Sequence, residues 1–95
     1  MPRRSRLTVL YTILNSIQKN PGINATHLMY KSNISYAQLK TYIKLLNEWG
    51  LVQIQKKERA ISLFITEKGN KVLELLKNLE KVLYEEKTVK IRQIL

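Results

Sequence analysis

The hydrophobic period of this chain changes twice, and those changes limit its fold more than any single residue does. Up to Gly50 the apolar residues recur every three or four positions. From Leu51 to Ile65 they alternate, and after Thr66 the wider spacing returns. Spacings of three and four put side chains on one face of a helix, and alternation puts them on one face of a strand. A chain of 95 residues has no room for a second domain of ordinary size. Its one strand-like block, set between helical blocks, is long enough for a hairpin.

The helical blocks carry their own start and stop signals. Leu7, Leu10, Leu14 and Ile17 form a stripe, with Ile13 beside them. Ser5 can cap its start and Asn20-Pro21-Gly22 stops it, so a first helix is expected over about Arg6 to Lys19. Asn24 is an N-cap for a short second helix, about Ala25 to Lys31, with Leu28 and Met29 as its apolar residues. Ser35 and Gln38 form a capping box, flanked by Ile34 and Leu39 as a hydrophobic staple. The third helix then runs to about Trp49, buries Leu39, Tyr42 or Ile43, and Leu46, and ends at Gly50 in the C′ position. Leu51, Val52 and Ile54 read as one strand, Lys56 to Arg59 as a charged turn, and Ile61 to Ile65 as the second strand. Thr66 caps a last helix from Glu67 to about Arg92, whose stripe is Val72, Leu75, Leu76, Leu79, Val82, Leu83 and Val89. That stripe is close to the repeat of a coiled coil.

Charge divides the chain at the same place. With 17 Lys and Arg against 7 Glu and no Asp, the formal charge is +10. Residues 1–66 carry 10 basic and 2 acidic residues, net +8, and residues 67–95 carry 7 and 5, net +2. An excess of this size points to a polyanion, most often nucleic acid. The mixed charge of the last helix suits a solvated face or a coiled-coil flank. Cys is absent and there is one His, so disulfides, thiolate metal sites and multi-histidine metal sites are not expected. Neither a phosphate-binding glycine loop nor a nucleophile elbow is present. An enzyme, a cofactor, a bound metal and a small-molecule substrate are therefore not expected. Apolar runs are too short to span a bilayer. The basic start at Pro2-Arg3-Arg4-Ser5-Arg6 is not followed by an apolar signal segment. The chain reads as cytoplasmic and nucleoid-associated.

Three helices followed by a hairpin make a winged helix-turn-helix, a mainly α fold of the α+β kind. Here it occupies residues 1–66, with residues 67–95 as a C-terminal coiled-coil dimerisation helix. In such a fold the third helix enters the major groove. With its apolar side turned inward, Ser35, Tyr36, Gln38, Lys40, Thr41 and Lys44 face out. Gln38 can read an adenine edge, Thr41 offers hydroxyl and methyl contacts, and Lys40 and Lys44 suit phosphate or guanine. Lys56, Lys57 and Arg59 form a basic wing, and Arg3, Arg4 and Arg6 a basic arm that can follow a groove. Tyr11, Tyr30, Tyr42 and Trp49 are assigned to packing and His27 to the surface or its boundary. A last helix roughly 40 Å long at 1.5 Å per residue exceeds the width of a 66-residue domain. Its exposed stripe at Leu75, Leu79, Val82, Leu83 and Val89 therefore needs a second copy. The partners expected are double-stranded DNA and the chain itself as a homodimer. The competing reading is a winged helix that serves as a protein–protein or RNA-associated module in a larger assembly.

Several of these residues also carry a family resemblance. Ser32-Asn33-Ile34-Ser35-Tyr36, then Leu39, Tyr42-Ile43, Leu46 and Trp49-Gly50-Leu51-Val52, followed by Ile65-Thr66-Glu67-Lys68-Gly69, resemble the small archaeal winged-helix DNA-binding proteins. That group includes transcription regulators and chromatin-associated proteins. The resemblance covers nearly the whole chain. It implies a homodimer joined by an antiparallel coiled coil of the last helices, with a winged helix at each end on duplex DNA. Glu86 and Lys87 depart from the pattern by interrupting the stripe.

Overall fold

The computed structural model describes the backbone of residues 6–94 and the side chains of residues 6–79, 81 and 82. The elements follow in the order α1 (Arg6–Lys19), α2 (Ala25–Ser32), α3 (Tyr36–Glu48), β1 (Val52–Lys57), β2 (Ala60–Ile65) and α4 (Glu67–Ile94). The fold is mainly helical, with β1 and β2 as an antiparallel pair in which Val52 lies opposite Ile65 and Lys57 opposite Ala60.

The local signals act where the sequence places them. The Asn24 side chain accepts a hydrogen bond from the His27 amide at 2.8 Å and opens α2. Asn33, in the left-handed region at φ 53°, closes it. The Ser35 Oγ accepts from the Gln38 amide and the Gln38 Oε1 accepts from the Ser35 amide, both at 3.2 Å, which completes the capping box. At the other end of α3, Gly50 takes φ +74°. Its amide reaches the Asn47 carbonyl while the Leu51 amide reaches that of Leu46. This is the Schellman arrangement, which satisfies carbonyls that the helix end would leave open.

The core is shared by every element. Ile13, Leu14 and Ile17 from α1, Leu28 from α2, Leu39 and Leu46 from α3, Leu63 from β2 and Leu73 from α4 are all fully buried, and Val52 of β1 nearly so. Burying each large aliphatic side chain contributes about 1.5–3 kcal/mol.

Five details differ from the sequence expectation. The first helix buries Ile13, Leu14 and Ile17 as expected but adds Val9, while Leu10 is only partly buried and Leu7 is half-exposed. The reason is that α1 packs on α2, α4 and β2 at once, which turns its broader face inward. The charged turn is shorter than expected. Lys56 and Lys57 complete β1, and only Glu58 and Arg59 form the loop, with Glu58 at φ +57°. Trp49 is half-exposed at the cap of α3, and Tyr30 is 73% exposed, so neither is a core residue. Leu73, outside the expected stripe, enters the core, while Leu75 beside it is exposed. Lastly, the segment after α1 pairs with the sheet. The Gly22 amide donates to the Leu63 carbonyl at 2.9 Å and the Leu63 amide to that of Ile23 at 3.0 Å. A bridge one residue long leaves no periodicity in a sequence.

The Thr66-Glu67-Lys68-Gly69 run fastens α4 to the end of α3. The Thr66 hydroxyl donates to the Gly50 carbonyl at 2.6 Å and accepts from the Gly69 amide at 2.9 Å. The Lys68 ammonium donates to the Trp49 carbonyl at 2.9 Å. On the α1 side, the Gln18 amide group donates to the Asn70 side-chain oxygen at 2.9 Å. The start of α4 is therefore held from two directions by polar contacts as well as by Leu73.

Candidate nucleic-acid interface

The orientation of α3 follows from which of its residues are buried. Leu39, Ile43 and Leu46 lie at spacings of four and three and face the core. Every one of Ser35, Tyr36, Gln38, Lys40, Thr41 and Lys44 is then exposed. Their polar groups are partly occupied. The Ser35 hydroxyl is engaged in the cap, and so is one acceptor position of the Gln38 oxygen, while the Gln38 side-chain amide remains a donor. The Thr41 hydroxyl donates to the Ala37 carbonyl at 3.1 Å and presents its lone pairs outward. The Lys40 ammonium lies 5.9 Å from the centre of the Tyr36 ring, close enough for a cation–π contact that restrains the lysine. The N-terminal part of α3 thus offers an amide donor, a hydroxyl acceptor, a phenol and two cations.

The wing residues Lys56, Lys57 and Arg59 are exposed, the lysines on the last residues of β1 and the arginine in the turn. Of the basic arm, Arg6 is the first residue of α1 and exposed, while Arg3 and Arg4 lie outside the described residues. Leu83 and Val89 of the expected dimer stripe are likewise outside the described side chains, and Leu75, Leu79 and Val82 are exposed.

On α2, sequence reasoning assigned Tyr30 to packing and passed over Lys31. Tyr30 and Lys31 are both exposed beside the turn that leads into α3. A usable signal existed, because α2 buries Leu28 and Ser32. Two positions on from Leu28 is about 200° around a helix of 3.6 residues per turn, which turns Tyr30 away from the core.

Among the described residues no group of His and Glu is placed to hold a metal ion, and no helix is long and apolar enough to cross a membrane.

A family model for the winged helix-turn-helix matches residues 3–84, which is most of the chain. The chain belongs to the winged helix-turn-helix family. No curated protein sequence matches it. Among solved structures, this winged-helix protein is similar to Sso10a-2, a DNA-binding protein from Sulfolobus solfataricus. The TM-score is 0.81 at 24% identity, over 97% of each chain. It is also similar to the transcriptional regulator BldR of the same organism, with a TM-score of 0.75 at 21% identity over 82% of this chain and 58% of that one. A third likeness is to Streptococcus pneumoniae FabT, solved in complex with DNA, with a TM-score of 0.68 at 21% identity over 88% of this chain and 64% of that one. The winged-helix chain therefore spans about three-fifths of the length of these last two proteins. At such identities the likeness is one of fold.

Proposed function

We propose that this winged-helix protein binds double-stranded DNA as a homodimer and acts as a transcription regulator or a chromatin architectural protein. Residues 1–66 make the DNA contacts and residues 67–95 join the two copies. The observation that carries the reading is the exposed face of α3, where Tyr36, Gln38, Lys40, Thr41 and Lys44 stand clear of the core in a segment of net charge +8.

In this reading the first half of α3 enters the major groove. Gln38 and Thr41 meet base edges, and Lys40 and Lys44 meet phosphate or guanine. Lys56, Lys57 and Arg59 of the wing hold the neighbouring backbone, and the arm at Arg3, Arg4 and Arg6 adds further phosphate contacts. Tyr30 and Lys31 on α2, the helix that crosses the backbone in this class of motif, supply a hydroxyl and an ammonium to phosphates. Dimerisation draws on Leu75, Leu79 and Val82, which are 67%, 43% and 54% exposed on one side of α4. A contiguous apolar stripe of this kind marks an association surface. A two-fold axis lets the same stripe serve on both copies.

Two measurements test the proposal. Fluorescence anisotropy on duplex DNA should give a log affinity that falls linearly with log salt, because phosphate contacts release counterions. An affinity indifferent to salt overturns DNA binding and favours a protein-interaction module. Light scattering at micromolar concentration should give twice the 11.2 kDa chain mass, and a monomer mass overturns the dimer. Footprinting on genomic fragments separates the two roles, since a regulator protects discrete sites and an architectural protein coats the duplex.

A further inference from the structure

The capping box that starts α3 also fixes what that helix shows to a base. A backbone N–H needs an acceptor, so the Gln38 oxygen, and not its nitrogen, faces the Ser35 amide at 3.2 Å. The Ser35 hydroxyl accepts from the Gln38 backbone amide in return, also at 3.2 Å. Backbone and side chain of Gln38 are therefore both held, with the side-chain oxygen turned back against the cap. Its Nε2 is the other branch of the same planar group and makes no hydrogen bond among the described residues. Gln38 is exposed, so this nitrogen offers two N–H donors to whatever approaches the helix.

The neighbouring cations are less well fixed for such a role. The Lys40 ammonium is drawn over the Tyr36 ring, 5.9 Å from its centre. Lys44, a turn farther along, is exposed and carries a flexible four-carbon stem. Thr41 lies three positions from Gln38, on the same face of the helix. Its hydroxyl proton is committed to the Ala37 carbonyl at 3.1 Å, so outwardly it is an acceptor. These polarities choose among base edges. The usual glutamine contact with adenine uses both atoms of the amide, the nitrogen donating to N7 and the oxygen accepting from N6. An oxygen held at the Ser35 amide is turned away from that edge. Guanine presents two acceptors side by side, N7 and O6, and no donor in the major groove. A nitrogen with two protons suits both. The paired cytosine presents its N4 amino donor, which suits the Thr41 lone pairs.

We propose that Gln38, held as a donor by its own capping box, selects guanine on the major-groove edge of the duplex, with Thr41 accepting from the cytosine paired to it. The inference rests on the entry of α3 into the major groove proposed above. Guanine thereby takes the place of the adenine expected from the residue type alone. The Ser35 and Gln38 pair then has two roles, starting the helix and setting the polarity of its base contact.

The substitution Gln38→Glu separates the cap from the contact. Glutamate serves equally at this position of a capping box, so the Ser35 amide keeps its acceptor while the outward atom changes from donor to acceptor. The full chain and this variant each select duplexes from a pool with a randomised centre, and competition anisotropy ranks the enriched sequences. Circular dichroism melting establishes that both are folded. The unaltered chain should enrich guanine at one position of the site and prefer it there to adenine by roughly 5- to 150-fold, the range of a good two-bond base contact. Gln38→Glu should move that preference to cytosine, whose amino group a carboxylate accepts, and leave the other positions as they were. Gln38→Ala, which adds no charge and keeps the Ser35 hydroxyl cap, should lose the preference at that position without gaining another. Adenine in the selection by the unaltered chain overturns the assignment. Guanine retained by either variant also overturns it, by giving the contact to Lys40 or Lys44. Salt-dependent binding with no enriched base overturns it and leaves DNA binding standing. No binding to any duplex overturns both.

Discussion

Replacing Gly69 by Ala should destabilise the protein, although it puts a better helix former into a helix. A Cβ at position 69 would fall inside the contact distance of the Leu51 carbonyl oxygen, 2.7 Å from Ile65 Cγ1 and 3.0 Å from the Leu51 carbonyl carbon. That carbonyl cannot easily retreat. It accepts from the Thr66 amide at 3.0 Å, and the Leu51 amide is tied to the Leu46 carbonyl at 2.9 Å. Helix propensity alone favours Ala by about 1 kcal/mol. Against this, overpacking a backbone contact costs roughly 1–3 kcal/mol. Shifting α4 outward also weakens the Thr66 hydrogen bonds to Gly50 and Leu51, each contributing about 1 kcal/mol. The balance is a net destabilisation of roughly 2–4 kcal/mol, or on the order of 10–30 °C in Tm for a domain of this size. Urea and thermal unfolding, followed by far-ultraviolet circular dichroism at a fixed chain concentration, measure it. The concentration is fixed because association contributes to apparent stability. A Tm equal to or above that of the unaltered protein would refute the reasoning, since it would mean that α4 does not press on the Leu51 carbonyl.

The other predictions concern the charged elements. Lys40→Ala with Lys44→Ala should weaken duplex binding and lower the slope of log affinity against log salt by about 0.9 for each phosphate that is no longer neutralised; unchanged binding at matched salt in a normally folded variant would remove α3 from the interface. Neutralising Lys56, Lys57 and Arg59 together should reduce affinity by a similar factor on unrelated duplexes, because such cations position the protein without reading bases, and a panel of unrelated sequences in anisotropy titrations checks this. Glu58 sits at φ +57°, a region that costs a side chain roughly 1–2 kcal/mol, so Glu58→Gly should raise stability by about 0.5–1 kcal/mol after glycine's own entropic cost. It also removes one of two acids in the first 66 residues, and should tighten DNA binding at low salt; a lower urea midpoint for this variant would contradict the turn geometry.

The parts of this protein that were legible in its sequence are those governed by neighbours a few residues away. The box at Ser35 and Gln38, the Asn24 cap and the stop at Gly50 form within one helical turn, so residue types and spacing suffice to specify them. The switch from helical to alternating spacing at Leu51 located the hairpin for the same reason. Leu39, Ile43 and Leu46 sit four and three positions apart, and that spacing oriented α3. What spacing could not decide is which side of an amphipathic helix wins when both sides carry apolar residues. On α1, Leu7 competes with Val9, and packing against three other elements at once turned Val9 inward. On α4, Leu73 and Leu75 are two residues apart and either could have led the buried face. Only the position of the helix against α1, fixed at its start by the close approach of Gly69 to Leu51, placed Leu73 in the core and left Leu75 outside. The same holds for Trp49, apolar in type and half-exposed in place. Its surroundings come from α1 and α4, which are far away in sequence. Local hydrogen bonding and periodicity determine the elements. Packing between distant segments determines which of their apolar faces remain for a partner.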